Sequence, residues 1–305
     1  MQIVILGIFA ADATFRADRL PDMGETLIGR GFALGPGGKG SNQAVAAARA
    51  GGDVALVTRL GQDDFAGLAR KIWAAAGVRA EVVKDPESHT GAAFIFVNDA
   101  TGDNAIIVTP GAAGRLCVAD VERHAGLVAG ARVFATQLEQ PLPAARRALE
   151  IARAAGVRTV LNPAPAAPLD DGLLALCDVL TPNETEAAAL TGLAVADPEG
   201  AARAAAALRA RGAGAVAVTL GAQGALWQDA TGTVRVPAFD AGPVVETTGA
   251  GDAFNGAFAV ALAEGLDGPA AVRFGCAAAS ISVTRPGTAA SMPSRAEIEA
   301  LLARG

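Results

Sequence analysis

The stretch Thr247-Thr248-Gly249-Ala250-Gly251-Asp252-Ala253-Phe254-Asn255-Gly256 joins a run of small residues to an apolar segment. Residues 253–262 have the spacing of apolar residues that is typical of a helix, so a helix is predicted to begin here. The first amides of a helix have no intrahelical acceptor, and together with the helix dipole they stabilise an anion. Gly249, Ala250 and Gly251 allow a ligand to approach the backbone. The stretch therefore predicts an anion-binding cradle at a helix N-terminus.

Asp252 lies among these small residues, and its carboxylate has two interpretations. An aspartate near the start of a helix commonly serves as a cap. A cap needs no close approach of the backbone. A base that takes a proton from a hydroxyl beside a phosphoryl group needs both a nearby acceptor and a close backbone. The flanking glycines therefore favour phosphoryl transfer with Asp252 as the base.

Outward from this stretch, short apolar segments alternate with long alanine-rich segments of helical spacing. The alternating segments are residues 54–57, 65–76, 133–136, 143–155, 159–161, 179–180, 184–191, 201–210 and 215–220. This alternation predicts an α/β fold with a three-layer αβα core, in which helices cover both faces of a mostly parallel sheet. Ligands of such sheets bind at the carboxyl ends of the strands.

Two segments interrupt the alternation, at about residues 13–34 and 90–109. They are strand-like, including the piece 26–33, contain turn residues such as Gly24, and offer no helical pattern. We expect them to form one small β-sheet, discontinuous in sequence, that stands over the main sheet as a lid. Residues 1–305 would then form a single domain.

The composition disfavours several classes of protein. Hydrophobic residues make up 51% of the 305 residues, yet no apolar run approaches the ~18 residues of a membrane span. The net charge of −6 disfavours nucleic acid as a partner. Three scattered cysteines fit neither a disulfide framework nor a zinc site, and two histidines leave little room for histidine-based metal chemistry. The opening segment has no basic leader, which favours a cytoplasmic protein.

A second glycine-rich run, Gly35-Pro36-Gly37-Gly38-Lys39-Gly40-Ser41-Asn42-Gln43-Ala44, precedes a helical segment. Its spacing matches a dinucleotide-binding pattern, but it comes about thirty residues too late for that role. A Walker A loop is disfavoured because Gly40 follows Lys39. A simple turn from lid to helix is the alternative. Only three of the 25 basic residues are lysines, however, so a lysine between glycines favours a ligand-binding role for Lys39.

Asn183 and Glu186 follow the predicted strand at residues 179–180, where a helix should begin. Asn and Glu in a first helical turn are ordinary capping residues. At the carboxyl end of a strand they are equally suited to hold Mg²⁺ through water. The segment 219–224 is a third strand end, and it runs into a glycine turn.

In their order along the chain, these motifs resemble those of the ribokinase-like (PfkB) family of sugar kinases, and the resemblance covers essentially the whole chain. The motifs that carry it are Gly7-Ile8-Phe9-Ala10-Ala11-Asp12, Gly24-Glu25-Thr26, Gly37-Gly38-Lys39-Gly40-Ser41-Asn42-Gln43-Ala44, Gln137-Leu138-Glu139, Asn162-Pro163-Ala164-Pro165, Thr181-Pro182-Asn183-Glu184-Thr185-Glu186 and Gly249-Ala250-Gly251-Asp252. One such motif is weak support for a family, whereas the full set in register is strong.

The resemblance implies a small β-lid over the α/β core and transfer of the γ-phosphoryl group of ATP to a sugar, at the primary 5-hydroxyl of D-ribose. It implies that Asp252 is the base, that the amides of Ala250, Gly251 and Asp252 form the anion hole, and that Gly249 belongs to the same catalytic segment. The residues implied to contact the sugar are Ala10, Asp12, Gly38, Lys39, Asn42, Glu139 and Asp252. Those implied to face ATP are Asn183, Glu186, Thr219, Gly221, Gly224 and Cys276, with Glu186 holding Mg²⁺ through water. A monovalent cation, K⁺, would lie beside Glu246, Thr248, Ser282, Arg285, Gly287 and Ser291.

Three residues depart from the family pattern. Ala10 stands where many members carry an asparagine that touches the sugar, Glu246 replaces an aspartate, and Cys276 replaces a histidine near the adenine. Ribose is the expected substrate, with 2-deoxyribose, a ketohexose or 2-keto-3-deoxygluconate as alternatives. A nucleotide-dependent oxidoreductase and a non-catalytic sugar-binding protein are alternatives from other classes. The apolar positions of the lid further predict a homodimer.

Overall fold

The computed structural model describes residues 3–304, so the ends of the predicted domain 1–305 lie outside the described residues. Within this range the strands are β1 (Ile3–Leu6), β2 (Ala10–Ala17), β3 (Gly31–Gly37), β4 (Val54–Leu60), β5 (Arg79–Lys84), β6 (Thr90–Asn98), β7 (Asn104–Gly111), β8 (Val133–Thr136), β9 (Arg158–Leu161), β10 (Val179–Leu180), β11 (Ala215–Thr219), β12 (Ala225–Gln228) and β13 (Thr233–Val236). The helices are α1 (Lys39–Arg49), α2 (Asp64–Ala76), α3 (Val118–Arg123), α4 (Ala125–Ala129), α5 (Leu142–Ala154), α6 (Asp171–Leu174), α7 (Glu184–Thr191), α8 (Pro198–Ala210), α9 (Ala250–Glu264), α10 (Gly268–Ser282) and α11 (Arg295–Leu302).

The main sheet has nine strands in the order β13-β12-β11-β10-β9-β8-β1-β4-β5. The strands from β11 to β5 in this order are parallel to one another, whereas β12 and β13 form an antiparallel edge. This arrangement confirms the predicted α/β fold. The predicted segment 133–136 coincides with β8, and 184–191 coincides with α7.

Helices cover both faces of this sheet and create two hydrophobic cores. Because side chains alternate along a strand, β1 contributes to both cores. Ile3 and Ile5 pack in the core that contains Phe258 of α9. Val4 and Leu6 pack in the other core with residues of α5. No helix formed by residues 3–304 is long and apolar enough to cross a membrane.

The two predicted lid segments form a separate four-stranded sheet in the order β3-β2-β6-β7. Strands β2 and β6 are parallel, and the other two pairs are antiparallel. The prediction of a strand at 26–33 is wrong for its first part, because β3 begins at Gly31 and continues to Gly37. The glycine-rich run is thus the end of β3 followed by the start of α1, since Gly37 pairs with Ala10 in register.

Candidate active site

The N-terminus of α9 lies at the surface, where Gly251 is exposed. Gly249 precedes the helix with a φ of 82°, a left-handed conformation that favours glycine. The amide of Ala250 donates to the carbonyl of Thr247 over 3.2 Å. Among the described residues, the amides of Gly251 and Asp252 have no acceptor. Two of the three amides predicted as anion donors are therefore free.

The Asp252 side chain is buried behind this helix end. One carboxylate oxygen accepts from Nδ2 of Asn42 and the other from Nε2 of Gln43, each over 3.1 Å. Both donors are side chains of α1, so the carboxylate is not a cap of its own helix. Burial raises the pKa of Asp252, whereas the Lys39 ammonium and the two amides lower it. A carboxylate held in this way is suited to accept a proton from a substrate.

A polar pocket beside Asp252 brings together Asp12 of β2, Lys39 of α1 and Glu139 after β8. The backbone amide of Lys39 donates to Oε2 of Glu139 over 2.7 Å. Burial raises the pKa of Asp12 to about 6. Burial also raises the pKa of Glu139 to about 7; the charges of Asp252 and Asp12 add to this, and Lys39 opposes it. Carboxylates around one ammonium offer both acceptors and donors to a ligand that carries several hydroxyl groups.

Three more residues predicted to contact the sugar lie on or next to β2 and α1, and these are Ala10, Gly38 and Asn42. Ala10 is buried at the end of β2, directly opposite Gly37. Gly38 has a φ of 85°, and a Cβ atom there would lie 2.6 Å from the carbonyl oxygen of Ile8. Oδ1 of Asn42 is buried and has no hydrogen-bond partner among the described residues. A buried polar atom of this kind calls for a donor from a bound molecule.

An apolar cavity with a volume of about 420 Å³ opens at the N-terminus of α9. It joins the predicted nucleotide-site residues Asn183, Thr219, Gly221, Gly224 and Cys276 to Ala250 and Gly251 of the anion cradle. The sequence interpretation missed most of its walls, which include Ala238, Phe239, Val244, Phe254, Ala279 and Val283. Aromatic residues make up only 4% of the chain, so few of them mark possible cavity walls. Phe239, an isolated phenylalanine after a strand, was the one sequence signal for this wall.

Close contacts support the walls of this cavity. The guanidinium of Arg273 lies 4.8 Å from the ring centroid of Phe239. Gly224 has a φ of 89°, and a Cβ atom there would lie 2.1 Å from the carbonyl oxygen of Val236. Burial raises the pKa of Cys276 to about 12, so its thiol is neutral near pH 7. Cys276 therefore contributes a small apolar surface.

Asn183 and Glu186 form the N-terminal cap of α7. Oδ1 of Asn183 accepts from the Glu186 amide over 2.8 Å, and Oε2 of Glu186 accepts from the Asn183 amide over 2.9 Å. Glu186 is buried and lies outside the apolar cavity, and burial raises its pKa. The charges of Lys39 and Asp252 also act on this carboxyl, since Lys39 lowers the pKa of Glu186 and Asp252 raises it. Within residues 3–304 no group of three or more His, Cys, Asp or Glu side chains could hold a metal ion.

The residues predicted around a monovalent cation come from two segments that meet beside the cradle. Oε2 of Glu246 accepts from the Gly287 amide over 2.8 Å, and the Glu246 amide donates to the Val283 carbonyl over 3.1 Å. The side chain of Arg285 forms an ion pair with Glu297 and so turns away.

The remaining predicted cation ligands are Ser282, Ser291 and Thr248. The hydroxyl groups of Ser282 and Ser291 donate to carbonyl groups within their own turns, and both residues are buried. Thr248 is exposed next to Gly249. A cation here would depend on carbonyl and carboxylate oxygens, which suit a hard ion.

The chain has extensive similarity to known sugar kinases. The family model for pfkB family carbohydrate kinases matches residues 1–295. Over 296 residues the chain is 40% identical to the ribokinase of Haemophilus influenzae, covering 97% of this chain and 96% of that protein. Over 296 residues it is also 38% identical to the deoxyribokinase of Salmonella typhimurium, covering 96% of each chain.

Among solved structures, the Arabidopsis thaliana ribokinase complexed with ribose and ATP has a TM-score of 0.93 to this chain. The sequence identity of that pair is 32%, and the match covers 99% of this chain and 98% of the other. These matches agree with the fold described above. The chain therefore belongs to the pfkB family of carbohydrate kinases.

Proposed function

We propose that this carbohydrate kinase transfers the γ-phosphoryl group of ATP directly to the primary 5-hydroxyl of D-ribose. The observation that carries the proposal is the position of Asp252. Its buried carboxylate adjoins the polar pocket, and the free amide of Gly251, next to that of Asp252, adjoins the apolar cavity. The similarity to ribokinases, one of them solved with ribose and ATP, supports both substrates.

In this proposal the sugar occupies the polar pocket, where Asp12, Lys39, Asn42 and Glu139 bond to its hydroxyl groups. Asp252 accepts the proton of the 5-hydroxyl as the hydroxyl oxygen attacks the γ-phosphorus atom. The bond from that phosphorus atom to the leaving oxygen of ADP breaks. The free amides at the N-terminus of α9 stabilise the charge on the transferred phosphoryl group.

ATP would occupy the apolar cavity, with its adenine against the wall that Phe239 and Cys276 form. The neutral thiol of Cys276 supplies an apolar contact in place of an imidazole. The phosphates would extend past Asn183 and Thr219 to the exposed amide of Gly251. This path leads from the cavity to the polar pocket through the N-terminus of α9.

Two ions belong to this proposal. Mg²⁺ neutralises phosphate charge when this ion is bound. Glu186 would hold Mg²⁺ through water, because the Glu186 carboxyl interacts with the charges of Lys39 and Asp252 and so lies close to the proposed transfer site. K⁺ would lie between the Glu246 segment and residues 282–291. The bond from Gly287 to Glu246 supports this placement because it ties the two segments together beside Gly249.

The test of the proposed base is the variant Asp252→Ala. We expect kcat to fall by ~10²–10⁴-fold, the typical loss of general-base assistance, with an unchanged Kd for ATP. Asp64→Ala, which removes an exposed first-turn aspartate of α2, is the matched control and should keep the wild-type rate. An Asp252→Ala enzyme with near wild-type kcat would exclude this mechanism. Titration with NADH and with ATP tests the oxidoreductase alternative.

A second candidate substrate is 2-deoxyribose. Ala10 is buried at the first position of β2, two residues before Asp12, and its methyl group has neither a donor nor an acceptor, so in this proposal one hydroxyl of ribose lacks a direct partner there. A neutral hydrogen bond contributes only ~0.5–1.5 kcal/mol, so discrimination between the two pentoses should be small. The deoxyribokinase relative supports the same possibility. ADP release across a panel of pentoses, hexoses and nucleosides decides between the candidates, and a strong preference for a hexose or a nucleoside would contradict both.

We further propose a homodimer through the lid sheet. Phe32 on β3 and Ile107 on β7 are 62% and 71% exposed, and the strand register places them on the same face of the lid sheet as Phe15 and Leu34, which are exposed as well. An apolar surface of this kind on a small sheet favours a partner. A cytoplasmic location, predicted from the sequence, remains part of this proposal.

A further inference from the structure

Buried side-chain amides form a chain that ends on the Asp252 carboxylate. Nε2 of Gln137 donates to Oε1 of Gln43 over 2.7 Å. Nε2 of Gln43 donates to Oδ1 of Asp252 over 3.1 Å and to Oδ1 of Asn162 over 3.2 Å. Asn162 in turn donates through Nδ2 to the carbonyl of Thr181 over 2.9 Å. None of the steps proposed above uses Gln43.

These contacts allow the Gln43 amide one orientation. Its two N–H groups are taken by the oxygens of Asp252 and Asn162, and its oxygen is taken by the Gln137 donor. The reversed amide would place Oε1 against the Asp252 carboxylate and Nε2 against the Nε2 group of Gln137. Gln43 is 2% exposed, so water cannot substitute for these partners.

We propose that Gln43 is a positioning residue that fixes the direction in which the Asp252 carboxylate faces the acceptor hydroxyl. This proposal rests on the proposed role of Asp252 as the base. Gln43 donates to Oδ1 of Asp252 from the interior, while Asn42, which belongs to the proposed sugar pocket, donates to Oδ2 of Asp252. The oxygen Oδ2 is therefore the one left on the side of the sugar. Because all polar atoms of the Gln43 side chain are engaged, Gln43 acts through Asp252 and not on the sugar.

The Gln43 bond also affects the protonation of Asp252. The charged groups that face Asp252 are Lys39 from α1, Glu139 after β8 and Glu186 from α7. Lys39 favours the ionised carboxylate, and the two glutamates oppose it. A hydrogen bond to the ionised form lowers a carboxyl pKa, so loss of the Gln43 donor should raise the pKa of Asp252. The acid limb of the kcat profile should then move to higher pH.

The test uses the near-isosteric variant Gln43→Met in the full chain with ribose and ATP. We expect kcat to fall by about 10- to 100-fold, the factor for one lost hydrogen bond to a charged group. The KM for ribose should stay within about threefold because Gln43 does not touch the sugar. The acid limb should shift to higher pH. Gln140→Met is the matched control, because Gln140 is a buried glutamine that bonds to Thr136 and to the Gln137 carbonyl but not to Asp252. It should leave the acid limb in place.

A second variant, Gln43→Glu, distinguishes a loss of positioning from a simple packing defect. A protonated glutamic acid can donate to Asp252, but two ionised carboxylates at this distance repel each other. We expect this variant to gain an alkaline limb, with a rate that falls as pH rises, which Gln43→Met lacks. If Gln43→Met keeps kcat within threefold with an unmoved acid limb, or if Gln43→Glu has no alkaline limb, the positioning role is wrong.

A double-mutant cycle separates this proposal from the one on which it rests. If Gln43 acts through Asp252, adding Gln43→Met to Asp252→Ala should cost no further rate. If Asp252→Ala alone retains the wild-type kcat, the assignment of the base fails, whatever Gln43→Met does. If Asp252→Ala is inactive while Gln43→Met matches the Gln140→Met control, only the role of Gln43 fails.

Discussion

A Cβ atom on Gly256 would lie 2.5 Å from the Cβ atom of Ala46. Gly256 is one turn beyond Asp252 on α9, and Ala46 is one turn beyond Asn42 on α1. The close approach of the two helices therefore brings the Asp252 carboxylate within reach of the side-chain amides of Asn42 and Gln43. The absence of a side chain at Gly256 makes this approach possible.

The variant Gly256→Ala should separate α1 from α9. Overpacking typically costs ~1–3 kcal/mol of unfolding free energy, and the weaker bonds to Asp252 should lower kcat by about tenfold. Urea unfolding and steady-state kinetics measure the two effects. Gly67→Ala is the control, because Gly67 also lies within a helix but a Cβ atom there would meet no neighbour. That variant should gain ~0.5–1 kcal/mol from helix propensity. Equal stability and rates for the two variants would contradict the argument.

The Glu139 carboxyl should make stability depend on pH. Its pKa is raised from 4.5 to about 7 by burial, so the folded protein binds more protons than the unfolded chain between these values. Stability should then be full below pH 4.5 and fall as pH rises toward 7, by on the order of 1–3 kcal/mol. Glu139→Gln should remove the part of this loss that Glu139 causes, since its amide oxygen can still accept from Lys39; Asp12, whose pKa is raised to about 6, contributes a loss of the same sign that should remain.

Urea unfolding without ligands at pH 5 and pH 8 measures the effect. The control is Glu199→Gln, an exposed glutamate in the first turn of α8, which should keep the wild-type pH dependence. The explanation fails if Glu139→Gln and the wild-type protein lose the same free energy between the two values of pH.

The proposed dimer predicts that Ile107→Glu yields monomers. Ile107 is 71% exposed on β7, and burial of an unpaired carboxylate in an apolar interface costs several kcal/mol. Sedimentation velocity at micromolar concentration measures the assembly. Val234→Glu is the matched control, because Val234 is an exposed strand residue outside the lid, on β13. Monomeric wild-type protein, or a dimer that survives Ile107→Glu, would contradict the proposal.

The proposed cation site predicts faster turnover in K⁺ than in Na⁺. Glu246→Ala should abolish this difference and lower kcat by ~10-fold or more, because the loop that orders the anion cradle loses its bond to Gly287. Initial rates in the two chlorides at equal ionic strength measure the effect. Asp240→Ala, which removes only a local bond to the Gly242 amide, should keep the wild-type preference. Equal wild-type rates in the two salts would count against a K⁺ site.

Local patterns in the sequence were sufficient to predict the elements that depend on near neighbours. The alternation of strands and helices follows from apolar periodicity, and the start of α9 follows from the small residues before it. The cap formed by Asn183 and Glu186 was likewise one of the two interpretations offered, because its bonds span a single helical turn. Where a pattern was weak, as in the antiparallel strand β13 and the half-buried edge strand β5, no element was predicted.

The sequence by itself therefore determined the α/β fold, the anion cradle and the residues that can act as acids, bases and ligands. Only the tertiary structure excluded a cap at Asp252, because the carboxylate accepts from Asn42, which lies 210 residues away in the sequence. It also decided that the amide of Ala250 is engaged and that Phe239 lines the apolar cavity. The physical reason is that these contacts depend on strand order and on helix packing, which join segments that no local pattern relates.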